Sequence, residues 1–240
     1  MSISEKLLSQ LKDPTLLPAA GLVGGQWIDN LASGKRFDID NPATGEVIAS
    51  LPDMGAEETR QAINAADKAQ KAWAALTAKE RGAVMQRLNA LQLENADDLA
   101  TILTMEMGKP FAEARGEIVY GASFLEWFAE EAKRVYGDTI PGHQGDKRLV
   151  VIKQPIGVVG AITPWNFPNA MITRKIAPGL AVGCTVVVKP AEQTPLSAIA
   201  IGVLAERAGM PAGVVNIIVG EDGPTIGREL TDNDKVRKVT

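Results

Sequence analysis

The alternation of apolar and polar positions divides the chain into segments of different period. Residues 2–20 pair apolar side chains at helical spacing without a continuous apolar stretch, which reads as a frayed helical lead-in. From Gly24 to Pro52 the pattern predicts strands and turns. Gln26-Trp27-Ile28-Asp29 precedes a polar turn, and Phe37-Asp38-Ile39-Asp40 alternates apolar and acidic residues. Asn41-Pro42 and Thr44-Gly45 then punctuate a turn before Val47-Ile48. Between Gly55 and Tyr136 the period becomes helical. Ala62, Ala66, Ala69, Trp73 and Leu76 recur at spacings of three and four, which is one face of a helix. Thr77-x-x-Glu80 forms a capping box, and Asn95 with Asp98 marks a further helix start. Ile118, Ala122, Leu125, Ala129, Ala132 and Tyr136 continue a similar stripe. Trp73, Trp127 and Phe128 lie on these stripes and are assigned to the core rather than to a ligand cluster.

Strand character returns from Gly137 to Gln154, where Leu149, Val151 and Ile152 are flanked by Lys147, Arg148 and Lys153. A solvated edge strand, or a strand meeting a partner subunit, accounts for this better than an anion site. After Gly157 come three apolar runs, Val158–Ile162, Thr185–Val188 and Val214–Val219. An Ile/Ala/Leu helix separates the first two, and a helix with Thr194 as N-cap and Pro195 at its first position separates the next. This β-α-β-α-β order of continuous apolar strands predicts a parallel sheet covered on both faces, with right-handed connections and a ligand site at the strands' carboxyl ends. Val236–Thr240 reads as the start of another strand, and a sheet ended there would have an unpaired edge.

Composition narrows the class. The chain has 240 residues, 45% hydrophobic and 22% charged, with net charge −4, so it can bury a sizeable core and is not intrinsically disordered. The acidic balance argues against nucleic acid as a partner. One Cys and one His exclude a disulfide framework and a zinc site built from three or four such ligands, so no metal is expected. The lone thiol suits a reducing compartment, and no apolar run approaches the ~18 residues of a membrane span. A soluble, cytoplasmic protein with no membrane partner is expected.

Neither G-x-G-x-x-G nor a Walker A loop is present. Thr163-Pro164-Trp165-Asn166-Phe167-Pro168 and Lys189-Pro190-Ala191-Glu192-Gln193-Thr194-Pro195 instead follow the first two parallel strands, where an open α/β sheet binds its ligand. In order and spacing, TPWNFP, GCTVVVKPAEQTP and PAGVVNIIVG resemble the NAD(P)-dependent aldehyde dehydrogenase superfamily. The resemblance runs from Gly24 onward and includes GQWID, NPATGEV and MGKP. ASFLEWFAEEAKRVYGDTIPGH, KRLVVIKQPIGV and WNFPNAMITRKIAPGLAVGCT resemble its succinate-semialdehyde dehydrogenase branch.

The resemblance implies a cysteine thiolate that attacks the aldehyde, hydride transfer to nicotinamide, and thioester hydrolysis by glutamate-activated water. Asn166 matches the oxyanion-stabilising asparagine; read alone, it is also a cap for the helix after Pro168. Ile162, Thr163, Pro164 and Trp165, with Lys189, Pro190, Ala191 and Glu192, match the coenzyme wall. Lys189 and Glu192 match the contacts to the adenosine ribose. Read alone, that pair is equally a set of solvated charges beside a helix start. A carboxylate at Glu192 repels a 2′-phosphate, so NAD is favoured as cofactor, with NADP possible. Gly223 matches a glycine under the coenzyme, although Glu221-Asp222 spaces its loop more widely than usual. Arg174 matches the arginine that grips the substrate's distal carboxylate; read alone, it is a helix arginine in a surface ion pair. Cys184, at the start of a buried strand, matches a structural cysteine, and His143 sits in a turn with no Ser or Cys partner.

The chain departs from the family in length. Members are roughly twice as long, and the motifs of the nucleophilic cysteine and the E-L-G-G glutamate are absent here. The expected fold is α/β: an aldehyde-dehydrogenase-like, Rossmann-type parallel sheet, truncated. Residues 1–136 form the β/helical part of the coenzyme-binding domain, 137–154 a protruding oligomerisation strand pair, and 155–240 the parallel-sheet coenzyme part. The expected function is oxidation of succinate semialdehyde by a full-length homo-oligomeric enzyme. Glutarate semialdehyde is the alternative substrate, since one methylene changes a pocket by only ~1–3 kcal/mol. The rival from another class is a non-catalytic module for nucleotide binding or assembly.

Overall fold

The computed structural model describes residues 3–240. Its first part comprises helix α1 (Glu5–Leu8), strands β1 (Gly21–Val23) and β2 (Gln26–Ile28), and the hairpin β3 (Arg36–Asp40) and β4 (Val47–Pro52). Four helices follow: α2 (Ala56–Ala75), α3 (Ala78–Glu94), α4 (Ala96–Met107) and α5 (Phe111–Glu131). A second hairpin, β5 (Asp138–Pro141) and β6 (Arg148–Val151), leads into β7 (Val158–Ile162), α6 (Ala170–Val182), β8 (Thr185–Lys189) and α7 (Leu196–Arg207). The chain finishes with β9 (Val215–Ile217), α8 (Gly223–Asp232) and β10 (Val236–Val239).

The three apolar runs pair as expected, β7 with β8 and β8 with β9, all parallel. The main sheet has six strands in the order β10-β7-β8-β9-β1-β2. Val236–Val239 form a strand, paired in parallel with β7 at the sheet's edge. The chain therefore steps outward from β7 to β9, then returns through α8 to the other side of β7. That reversal is the topological switch at which open α/β sheets hold ligands. On the far edge β1 pairs antiparallel with β9, so the sheet is mixed rather than wholly parallel. The sequence pattern misses β1 because its three residues are too few to show a period. Gly24 and Gly25, at φ +61° and +81°, make the two-residue turn from β1 to β2 that only residues at ease in left-handed backbone provide.

Capping decides several helix starts. Thr77 and Glu80 form the predicted capping box of α3. Asn95 precedes α4 as predicted, but its side chain bonds back to the Leu91 carbonyl instead of capping. Asp98 is buried and accepts from the backbone N–H groups of Lys12 and Asp13, at 3.0 and 2.8 Å. That anchor corrects the expectation of a frayed lead-in: within its described residues Leu7, Leu11, Leu16 and Leu17 are buried. Trp73 is in the core, with its indole N–H donating to the Leu180 carbonyl of α6 at 3.1 Å. Trp127 is not; it is 64% exposed. The buried face of α5 runs through Ala114, Ile118, Ala122, Leu125 and Ala129, and two residues beyond Leu125 is a rotation of about 200°. Phe128 is partly buried against the core, and Tyr136 is exposed beyond the helix end. Every residue of strands β5 and β6 is exposed, the apolar residues included.

Gly183 ends α6 at φ +100°, and a Cβ there would stand 2.9 Å from Ala74 Cα on α2. Gly183→Ala is expected to destabilise the fold by at least ~1–2 kcal/mol, the cost of left-handed backbone for a residue with a side chain. A denaturant midpoint equal to wild type would show that α2 and α6 are not held together at this point.

Candidate active site

The carboxyl ends of β7 and β8 are tied where their loops begin. The Thr163 N–H donates to the Lys189 carbonyl at 3.0 Å, so the two loops named above leave the sheet side by side. Lys189 is buried, and its Nζ donates to Glu192 Oε2 at 2.8 Å. Burial opposes ionisation of Glu192, but the Lys189 ammonium outweighs it and holds the carboxyl below its ordinary range. Gly223, at the first position of α8, faces this pair: a Cβ there would lie 4.0 Å from Lys189 Nζ. Three residues from two segments, the end of β8 with its loop and the start of α8, thus converge at one edge of the sheet, and the reading of Lys189 as a solvated charge does not hold. The α8 N-terminus is already capped by Asp222, which accepts from the Thr225 N–H at 3.0 Å. Gly223 therefore contributes space more than hydrogen-bond donors.

Around the β7 loop, Ile162, Pro164, Trp165, Asn166 and Phe167 are exposed, whereas Thr163 is buried and its hydroxyl has no partner among the described residues. Pro190 and Ala191 are buried beneath the β8 loop. An apolar exposed rim beside an unpaired buried hydroxyl and a buried ammonium paired with a half-exposed carboxylate suits a ligand with an apolar ring, hydroxyls and charge, and a nicotinamide dinucleotide is such a ligand.

Among the described residues the Asn166 side-chain amide makes no hydrogen bond, so it does not cap the helix after Pro168. That task falls to a residue the sequence reading did not single out. Glu117, on α5 and buried, accepts through Oε1 from the N–H groups of Asn169 and Ala170, at 3.0 and 3.1 Å. Its Oε2 pairs with Lys109 Nζ at 2.5 Å, and the same ammonium donates to the Asn166 carbonyl at 3.1 Å. The start of α7 is treated in the same way. Thr194 was expected to cap it, but its hydroxyl is buried without a partner, and Glu106 of α4 accepts from the N–H groups of Leu196 and Ser197, at 2.7 and 3.0 Å. A carboxyl group reaching in from another layer displaces the local threonine because it offers two acceptors to two adjacent donors. Glu106 and Glu117 both fall on otherwise apolar helix stripes, and that mismatch is the signal that marks them.

Arg174 is exposed on α6 with no carboxylate partner among the described residues; its guanidinium carbon lies 6.0 Å from the Phe124 ring centroid. It lines a cavity of about 580 Å³ with Met171, Lys175, Gln154 and Lys238, whose lining holds no acidic side chain. Burial, with Arg174 beside it, pushes the Lys175 ammonium below its ordinary pKa, as in a cationic pocket short of an anion. Asn166 is not part of this lining. Cys184 is buried just before β8, at the opposite end of that strand from Lys189 and about 16 Å away at ~3.3 Å per residue. His143 is exposed in the turn between β5 and β6. Among the described residues no group of three or more His, Cys, Asp or Glu is placed to hold a metal ion, and no helix is long and apolar enough to cross a membrane.

A mixed α/β sheet with loops converging at its switch defines a nucleotide-binding class of fold. The aldehyde dehydrogenase family model matches residues 27–240, and the chain belongs to that family. It is 62% identical over 231 residues to a glutarate-semialdehyde dehydrogenase of Pseudomonas aeruginosa, covering 96% of this chain and 47% of the relative. It is 58% identical to an NADP(+) succinate-semialdehyde dehydrogenase of Escherichia coli, covering 96% and 48%. The crystal structure of a succinate-semialdehyde dehydrogenase from Burkholderia pseudomallei superposes with a TM-score of 0.93 at 55% identity, covering 95% of this chain and 47% of that one. The chain spans about half the length of the curated relatives it matches.

Burial raises the Glu106 carboxyl from 4.5 to about 8, against hydrogen bonds from Ser197 and Leu196 that favour the carboxylate. Between these values the folded chain holds a proton that the unfolded chain releases. This contribution to stability is therefore full below about 4.5 and is lost as pH rises through about 8. Glu106→Gln keeps an acceptor oxygen and removes the titration, so its melting temperature should fall less than wild type between pH 5 and pH 9. Parallel pH profiles for the two proteins would assign the wild-type slope to other groups.

Proposed function

We propose that this chain forms the coenzyme-holding part of a nicotinamide-dependent aldehyde dehydrogenase that acts on succinate semialdehyde. One observation carries the reading. The exposed Asn166 turn and the pair of buried Lys189 with half-buried Glu192 leave adjacent strands side by side, tied by the Thr163–Lys189 backbone bond. Lys189 and Glu192 hold the ribose hydroxyls, one as donor and the other as acceptor. Ile162, Thr163, Pro164 and Trp165 form one wall of the coenzyme site, and Pro190, Ala191 and Gly223 form its floor. When bound, the coenzyme supplies the hydride acceptor. The Asn166 amide is a free donor to the oxygen on which charge develops, an effect worth ~10²–10³ in rate.

Arg174 holds the substrate's distal carboxylate. Its lack of an acidic partner, the cations around it and the low pKa of Lys175 support that role. Glutarate semialdehyde is the second reading, favoured by the 62% identity to a glutarate-semialdehyde dehydrogenase. The exposed apolar residues of α5 and of the β5–β6 segment, among them Trp127, Val150 and Ile152, support a homo-oligomer in which a second copy covers them.

Two substitutions in the protein that carries this chain test the assignment. Arg174→Ala should lower kcat/KM for succinate and glutarate semialdehydes by the ~1.5–3 kcal/mol of a hydrogen bond to a charged group, and leave an uncharged aldehyde of similar length almost unaffected. Equal losses on charged and uncharged aldehydes would make Arg174 a structural residue. Glu192→Ser removes a carboxylate that repels a 2′-phosphate, so the ratio of kcat/KM with NADP to that with NAD should rise. An unchanged ratio would remove Glu192 from the coenzyme site.

A further inference from the structure

Glu117 caps α6, but its partner Lys109, which belongs to the MGKP motif, has no role in the proposed function. Its two side chains are 10% and 1% exposed, so both charges have left water. Taking two ions out of water costs several kcal/mol each, and well-packed apolar replacements of buried pairs are often at least as stable. Stability alone is therefore a weak reason for this pair to exist. Its geometry offers another.

The Lys109 ammonium has three partners. It donates to Glu117 Oε2 at 2.5 Å and to the Asn166 carbonyl at 3.1 Å, and lies 3.8 Å from the centroid of the Phe167 ring. The other Glu117 oxygen takes the N–H groups of Asn169 and Ala170 at the start of α6. The Thr163–Pro168 turn is thus fixed at its beginning by Lys189, in its middle by Lys109 and just beyond its end by Glu117. The Asn166 amide, which has no partner of its own, owes its placement to these supports.

We propose that Lys109 is a positioning residue: paired with Glu117, it holds the Asn166 backbone so that the side-chain amide points at the reacting oxygen. This rests on the role of Asn166 given under Proposed function. Lys109 acts through Asn166 and touches neither coenzyme nor substrate.

The test compares wild type, Lys109→Met, Lys109→Arg and the double variant Lys109→Met/Glu117→Gln in the protein that carries this chain. Readouts are kcat, NAD affinity by direct titration, melting temperature, and hydrogen–deuterium exchange of residues 163–170. Lys109→Met should lower kcat by roughly 10–100-fold, the range for displacing a reacting group by about an ångström. NAD affinity should hold, and exchange in 163–170 should quicken while β7 and β8 stay protected. Lys109→Arg, which keeps the charge, should recover most of the rate. The double variant removes the stranded buried carboxylate, so it should regain melting temperature without regaining kcat. Recovery of kcat in step with melting temperature would overturn the proposal, as would unchanged exchange in 163–170 of Lys109→Met. If the wild-type protein oxidises no aldehyde, the proposed function fails, and the exchange comparison still decides whether Lys109 holds the turn.

Discussion

A helix that begins at the carboxyl edge of a sheet presents its first backbone N–H groups with no partner inside the helix. Where that edge is open, water satisfies them. In this chain α3, α4 and α5 form a further layer over α6 and α7, so the first turns of both helices are shut away from solvent. Each burial creates a demand for acceptors, and the layer that creates the demand also meets it. Glu117 of α5 serves α6, and Glu106 of α4 serves α7. Because each carboxyl spans two layers, the loops between strand and helix are held at both ends, by the sheet on one side and by the helical layer on the other. Those loops carry Asn166, Lys189 and Glu192.

The two carboxyl groups meet their electrostatic cost in different ways. Glu117 has an ammonium beside it and shares that partner with the Asn166 turn. Glu106 has no cation on it, only N–H and hydroxyl groups, and its proton affinity rises accordingly. One helix start is thus secured by an ion pair that also grips the functional loop, and the other by a carboxyl that titrates near neutrality. Arg174 takes a third course. Exposed on α6 and without a carboxylate partner among the described residues, it lies near the Phe124 ring and remains free for an anion.

How much of this is legible in the sequence depends on whether local or long-range contacts decide the outcome. The parallel strands and the α3 capping box are written in short patterns, and the structure repeats them. The TPWNFP and VVVKPAE segments lie at the sheet edge where strand order alone places them. Trp127 misled because stripe membership was judged by spacing to the nearest apolar neighbour, whereas its phase relative to Leu125 puts it on the outer face. A threonine followed by proline, as at Thr194, is a good local cap, and nothing local reveals that Glu106, ninety positions before Leu196, is the better acceptor. Strand β1 is three residues long and exists through pairing with β9 and β2. The Glu106 acceptor and the β1–β9 pairing share one property: the partner is distant in sequence, so no short window of the chain contains both.

The same edge-to-edge reasoning bears on the one thiol. Burial alone is a weak argument against a nucleophile, because a cysteine can be uncovered by modest motion. Direction along the sheet is stronger. Parallel strands place all their carboxyl ends on one side, and the converging charged groups, Lys189, Glu192 and the Gly223 turn, lie there. Cys184 precedes β8, so the full length of the strand separates it from that edge, and its backbone N–H is already bound to the Gly179 carbonyl at 2.9 Å. Bringing its sulfur to the Lys189 end of β8 would require the strand to slide by its own length, breaking its pairing with both β7 and β9. Side-chain motion cannot supply that.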